Sequence, residues 1–417
     1  MTKIIEIKSR QVFDSRGFPT VQSNVKLEDG SIGTSIVPSG ASTGSYEACE
    51  LRDENSKYLN KSVFNAVENV NNLINNHLKG KDSLDQENID ELLINLDGTD
   101  NKSKLGANSI LSVSIANCKA AAQSKKKEIF EYLSKDKKYK LPFPLMNIVN
   151  GGAHANNSLN IQEFMIRPDG ANSFEECMQI AFLTIQNLKK ILEANKMNTS
   201  VGDEGGFAPN LNSDEEAIDL ILESIRKSGF KPGKDVTLCL DVASNELYDG
   251  KNYSIITNKK ISSGELIDYY STLTNKYPIK SIEDPIFEDD WSSWSSLTKT
   301  LGDKVQIVGD DLFVTNHKRL SKGIEEKSAN AILIKLNQIG TVSETLKTIY
   351  LAQANNFNTI ISHRSGDTED TFISDLAVAT KSNQIKTGSL SRSERVSKYN
   401  RLLNIEEILK NPGMQVI

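Results

Sequence analysis

The strongest constraint on this chain is a rhythm in its second half. Short apolar runs of β type recur, and each ends in a charged or imidazole side chain. VTLCLD closes on Asp241, IKSIED reaches Glu283 and VQIVGDD presents Asp310. AILIKLN carries Lys335, TIISHRS presents His363 and QIKTGS carries Lys386. The intervals suit one strand, one helix and two loops. Polar groups at the carboxyl ends of successive strands are what a β/α barrel needs to build a site at one mouth. An open doubly wound sheet competes with that reading. The number of repeats favours the barrel, and neither GxGxxG after the first strand nor GxxxxGK[ST] supports the alternative.

The first part reads as a separate α+β unit. IIEIKSRQVFD, TVQSNVKLEDG and SIGTSIVPSG predict three strands joined by turns at Gly17-Phe18-Pro19 and Asp29-Gly30, an antiparallel meander. Helical spacing of Val63, Ala66, Val67, Val70, Leu73 and Ile74 predicts a helix over 62–78. A second helix, over about 107–124, is small and apolar on most faces and is expected to be buried. The lysine-rich run that follows reads as a solvated helix leading into a linker. The expected domains are therefore 1–125, a linker at 126–140, and a barrel at 141–417. Beyond the linker, capping boxes at Ser173/Glu176, Ser213/Glu216, Ser262/Glu265 and Thr341/Glu344 mark helix starts.

Net charge is −6 with the signs interspersed. No basic stripe points to nucleic acid as the main ligand, and no run has the length and apolarity of a membrane span. The opening residues lack the core and cleavage site of a secretory signal. Cys49, Cys118, Cys177 and Cys239 lie far apart without a CxxC pair, so a cytoplasmic location is expected.

One carboxylate after a strand is usually a helix cap or a surface charge. Asp241, Glu283 and Asp310 on consecutive strand ends would converge and repel, which a divalent cation relieves. With oxygen ligands only, Mg²⁺ is expected before Mn²⁺ or Zn²⁺. Lys335 reads either as a lysine snorkelling from a strand end or as a general base. The metal and Lys386 are expected to draw it toward its neutral form. Gln162 and Glu163 in NIQEFMI, and Asp203 and Glu204 in SVGDEGGFAPN, supply polar and acidic groups. A proton-abstraction site also needs an acid for the leaving group, and Glu204 suits that role. Three loops rich in small residues, 37–45, 150–157 and 361–370, let backbone amides approach an anion. His154 and His363 lie in two of them, and Arg364 with Ser365 suggests a phosphate clamp.

The segments DSRGFPTV, VPSGASTG, NIVNGGAHANN, IQEFMI, VGDEGGFAPN, SIEDP, GDDLFVTN, ILIKLNQIGT, SHRSGDTED and IKTGSLSRSERVSKYN occur in order along nearly the whole chain. In them the sequence closely resembles the enolases. The resemblance implies a small N-terminal α+β domain and a C-terminal β/α barrel whose first strands depart from simple alternation. It implies a lyase that interconverts 2-phospho-D-glycerate and phosphoenolpyruvate in glycolysis and gluconeogenesis, with two Mg²⁺ per site, the second arriving with substrate. Such enzymes pair a Lys or His base with Mg²⁺. By resemblance, Asp241, Glu283 and Asp310 bind the first metal, and Ser39 helps bind the second. Lys335 removes the C2 proton, Glu204 protonates the departing hydroxide and Glu163 assists. His154 lines the closing site. Gln162, His363, Arg364 and Ser365 hold substrate, and Lys386 contacts its carboxylate end. A homodimer or an octamer built of dimers is implied.

Two letters depart from the family pattern: Phe18 stands where Asn is usual, and Asp367 where Glu is usual. Phe18 could alter packing at the edge of the small domain or at a subunit contact, and Asp367 the pairing it makes, even across subunits. Two other readings remain beside an active enolase: another superfamily member such as a sugar-acid dehydratase, and an inactive binding or structural protein on the same scaffold.

Overall fold

The computed structural model describes residues 1–41, 44–54, 57–256 and 259–416. The first part holds β1 (Ile4–Phe13), β2 (Pro19–Leu27) and β3 (Ile32–Ile36), an antiparallel meander in that order, as the turn signals predict. The helix Ala107–Ser124 packs on this sheet, and most of its residues are buried. Gly33 permits the close approach, because a Cβ there would stand 1.9 Å from the Ala116 carbonyl oxygen. The helix predicted over 62–78 runs from Phe64 to Leu78, with one wider π turn at Asn69–Ile74. A further helix, Gln86–Asp97, escaped the sequence reading. Ile89 and Leu93 are its only buried apolar residues, so its apolar stripe is thin.

The second part is a closed barrel. Its strands are β4 (Phe143–Asn150), β5 (Glu163–Arg167), β6 (Thr237–Asp241), β9 (Ile279–Glu283), β10 (Gln306–Gly309), β11 (Ala331–Ile334), β12 (Asn358–Ser362) and β13 (Gln384–Lys386). β7 (Tyr253–Ile256) and β8 (Lys259–Ile261) form a hairpin outside it. All barrel neighbours are parallel except around β5, which runs antiparallel to both β4 and β6. The irregular first strands implied by the resemblance are therefore present.

All four predicted caps accept the expected amide hydrogen. Of these, the reciprocal bond back to the cap's own amide forms at Ser262. At the other two serines the glutamate turns to the residue before the cap, Glu176 to Asn172 and Glu216 to Asn212. The lysine-rich segment contains a short helix, Ile129–Leu133, that buries Phe130. Among the described residues, no helix is long and apolar enough to cross a membrane.

Candidate active site

Strand direction explains why the predicted residues meet. Asp241, Glu283 and Lys386 are the last residues of β6, β9 and β13. Asp310, Lys335 and His363 directly follow β10, β11 and β12. Glu163 is the first residue of β5, and the reversal of that strand brings it to the same mouth, opposite Asp241 in register. Glu204 reaches the mouth from a loop whose backbone touches the segment after β13: the Ser389 amide donates to its carbonyl at 2.9 Å. Gly388, with φ +78°, makes room, since a Cβ there would stand 2.5 Å from the same carbonyl oxygen.

One polar cavity is lined by His154, Gln162, Glu163, Glu204, Asp241, Asp310, Lys335, His363, Arg364, Ser365 and Lys386, all of them singled out in the sequence. Glu283 lies off its wall, with both oxygens accepting from Lys386 Nζ at 2.9 Å. Lys386 also donates to Asp241 at 2.9 Å and stands 3.1 Å from Glu163. Gln162 donates to Asp241 at 3.3 Å. Ser39 stands apart: its hydroxyl donates to Glu50 at 2.9 Å and accepts from Arg52 at 3.1 Å. Its backbone is nonetheless knit to the barrel, exchanging both backbone hydrogen bonds with Gly366, while Ala41 N–H donates to Ser365 Oγ at 2.7 Å. Within the small-residue loop read over 37–45, residues 42 and 43 lie outside the described residues.

The electrostatics are crowded. Burial, then Asp241 and Asp310, push Glu283 well above the usual carboxylate range against the pull of Lys386. Burial disfavours the charge on Lys386, but Asp241, Glu163 and Glu283 outweigh it and hold this lysine well above its ordinary value. Lys335 is pulled both ways. Burial works toward its neutral form, as do Arg364 and, as expected, Lys386, while the charges of Asp310 and Glu283 raise it. Glu163 is pushed well up by burial and by Glu204. Burial also opposes charge on Glu204, but the cationic and imidazole side chains around it hold that carboxyl well below the usual range. Burial lowers His363 well below an ordinary histidine, and Arg395 adds to the effect. Arg395 Nη1 donates to His363 Nδ1, so the imidazole is neutral.

A hard cation suits this donor set. The described residues bring Asp284, Asp310 and Asp311, and His154, Glu163 and Glu204, within ligand distance of one another, while Asp241 and Glu283 share Lys386. Glu163 Oε2 and Gln162 Oε1 are buried without a hydrogen-bond partner, leaving acceptors directed to a polar guest.

Sequence reasoning missed Glu47, Asn147, Asp284, Asp311, Gln338 and Arg395. Asn147 donates to Glu204 at 3.1 Å, and Gln338 to Asp310 at 2.8 Å. Asp284, at φ +41°, accepts from the amides of Asp310 and Asp311 at 2.8 and 2.9 Å. The doubled acids in IEDP and GDDL were a legible signal for Asp284 and Asp311. Spacing gives none for Glu47 or Arg395.

Residues 4–133 match the family model for the enolase N-terminal domain, and residues 138–415 that for the enolase C-terminal TIM barrel domain. An enolase from Pelagibacter ubique (strain HTCC1062) is 58% identical over 410 residues, covering 98% of each chain. Two family domains in order, the closed barrel with its reversed strand and this near-full-length likeness place the chain in the enolase family, the phosphopyruvate hydratases, which are lyases.

Proposed function

We propose that this protein catalyses the reversible, Mg²⁺-dependent dehydration of 2-phospho-D-glycerate to phosphoenolpyruvate. The observation that carries this reading is the placing of Lys335 and Glu204 on the wall of one cavity, with Asp241 and Asp310 beside them. Lys335 takes the C2 proton. Glu204 returns a proton to the departing hydroxide and draws it from Glu163, whose oxygen lies within 4.8 Å. Of that pair, Glu163 is the member that burial and the neighbouring Glu204 raise well above the usual carboxylate range. Mg²⁺ at Asp241, Glu283 and Asp310 supplies the positive charge that makes the proton next to a carboxylate acidic enough to remove.

Arg364 and Ser365 hold the phosphate, with His363 and Gln162 as further substrate contacts. Lys386 meets the carboxylate end, His154 closes the side near the hydroxyl, and Ser39 serves a second Mg²⁺. The domains proposed are 1–125 and 141–417 with 126–140 between them. A homodimer or octamer in the cytoplasm is the assembly and place that fit the family.

The test is direct. Absorbance in the ultraviolet reports phosphoenolpyruvate when 2-phosphoglycerate and Mg²⁺ are added, and a chelator should stop its formation. An intact chain that shows no turnover where another enolase works would defeat this reading.

A further inference from the structure

Arg395 stands on the last helix, Ser393–Ile408, and its side chain is wholly buried. It donates to His363 Nδ1 at 2.5 Å, to the Arg364 and Ser365 carbonyls at 2.6 and 2.7 Å, and to the Asp203 carbonyl at 3.0 Å. A guanidinium has donors only, so Nδ1 of His363 must accept. The neutral ring therefore carries its proton on Nε2. That nitrogen is buried, has no hydrogen-bond partner among the described residues, and lies 3.5 Å from Glu204 Oε1.

We propose that Arg395 is a positioning residue of the reaction: it fixes His363 as the Nε2–H tautomer, directed at Glu204, while pinning the backbones that carry both groups. The inference rests on the reading of Glu204 given above. One guanidinium joins two segments far apart in sequence, the loop at Asp203 and the segment after β12. His363 then presents Nε2–H to Glu204 Oε1, 3.5 Å away, in one fixed orientation. Without Arg395, nothing described selects between the two tautomers, and the N–H that faces Glu204 loses its defined direction. A donor that must be aimed at a carboxylate is effective only when its own orientation is locked by a further bond.

The experiment uses the full-length protein with ring-¹⁵N-labelled histidine, of which the chain has 4. His363→Gln assigns the His363 resonances. The wild-type pattern should be that of the Nε2–H tautomer. In Arg395→Met the pattern should become a mixture, with kcat down by about 100-fold and KM changed by less than about 3-fold. Arg395→Lys keeps a donor for Nδ1 and should restore the tautomer and at least about 10-fold of kcat. If Arg395→Met does not fold, Arg395→Gln replaces it with the same expectations. A folded variant that keeps the Nε2–H pattern, or one that mixes tautomers at unchanged kcat, overturns the proposal. Wild-type protein with the expected tautomer but no turnover would instead defeat the enolase reading, and the role of Arg395 with it.

Discussion

The carboxylate of Glu47 stands 2.8 Å from Arg364 Nη1, with side-chain exposures of 7% and 3%. The pair crosses from the first domain into the barrel mouth. Glu47 also accepts from Gln338 at 3.3 Å, and Gln338 in turn donates to Asp310. One carboxylate thus supports both the proposed phosphate arginine and a proposed metal ligand. Removing one partner of a buried ion pair leaves the other charge poorly compensated, at a typical cost of about 3–5 kcal/mol. Glu47→Ala should fall at the low end, about 3 kcal/mol, because Asn337 Oδ1 still accepts from Arg364 at 3.2 Å. Denaturant unfolding measures the loss, and KM for 2-phosphoglycerate should rise with it. A loss under about 1 kcal/mol would mean that Arg364 does not depend on this pair.

Lys335 pairs with Asp310 at the end of a strand whose four residues are all buried. Lys335→Ala removes the proposed base and leaves the strand and Asp310 in place. Exchange of the C2 proton with solvent should stop, and kcat should fall by at least about 10²–10⁴-fold, the usual share of a general base. Mg²⁺ binding, followed by calorimetry, should persist because no metal oxygen has been deleted. Exchange at the wild-type rate would remove Lys335 from the mechanism.

The mouth was legible because strand period is a local property. Asp241, Glu283, Asp310, Lys335, His363 and Lys386 each sit at the end of an apolar run, and every parallel strand in a barrel ends at the same side. Glu163 was legible as an acid in an extended run, but its place at the mouth was not, since that depends on β5 running backwards, which alternation of residues cannot show. Arg395 and Glu47 lie beyond any local pattern. Each acts across a tertiary contact, Arg395 on the Asp203 loop and Glu47 on Arg364, and both look like ordinary helix or loop charges in the sequence. The pull on Lys335 has a related origin. Its partner Asp310 follows the neighbouring strand, and its charge works against the effect of burial.

Asp214 gives a pH prediction. Burial raises its carboxyl from 3.8 to about 6, and one oxygen, Oδ1, accepts from both the Asn160 and Ile161 amides. In the folded state this acid holds its proton to higher pH than in the unfolded chain. Stability from this group is therefore greatest below about pH 4 and declines as pH rises toward 6. Asn at this site keeps an oxygen for both amides and removes the ionisation cost. The two-unit shift bounds the gain near 3 kcal/mol, and the helix N-terminus, which favours an anion, takes back part of it. Asp214→Asn should gain about 1–2 kcal/mol at pH 7 and nothing at pH 4. Unfolding curves at both pH values decide the matter, and equal differences at the two would refute it.

Asp367 departs from the glutamate usual at its position, and the structure gives its pairing within one chain. Oδ1 accepts from Lys398 Nζ and from the Thr368 amide, both at 2.7 Å, and Oδ2 accepts from the Arg364 amide at 3.0 Å. The residue is 4% exposed and Lys398 is 1% exposed, so the carboxylate has no room to retreat. Burial opposes its charge, but Lys398 and Arg395 outweigh burial and hold it below the ordinary aspartate value. Its contribution is thus present above the unfolded aspartate pKa and is lost as pH falls through the folded one. One extra methylene here pushes the carboxylate past the Arg364 amide or displaces Lys398. Overpacking of this kind costs about 1–3 kcal/mol. Asp367→Glu, although it restores the common family residue, should therefore lower the unfolding free energy by about 1–2 kcal/mol at pH 7. It should also weaken substrate binding, because the backbone of Arg364 moves with it. A variant as stable as the parent, with unchanged KM, would show that the pocket around Lys398 accommodates either acid.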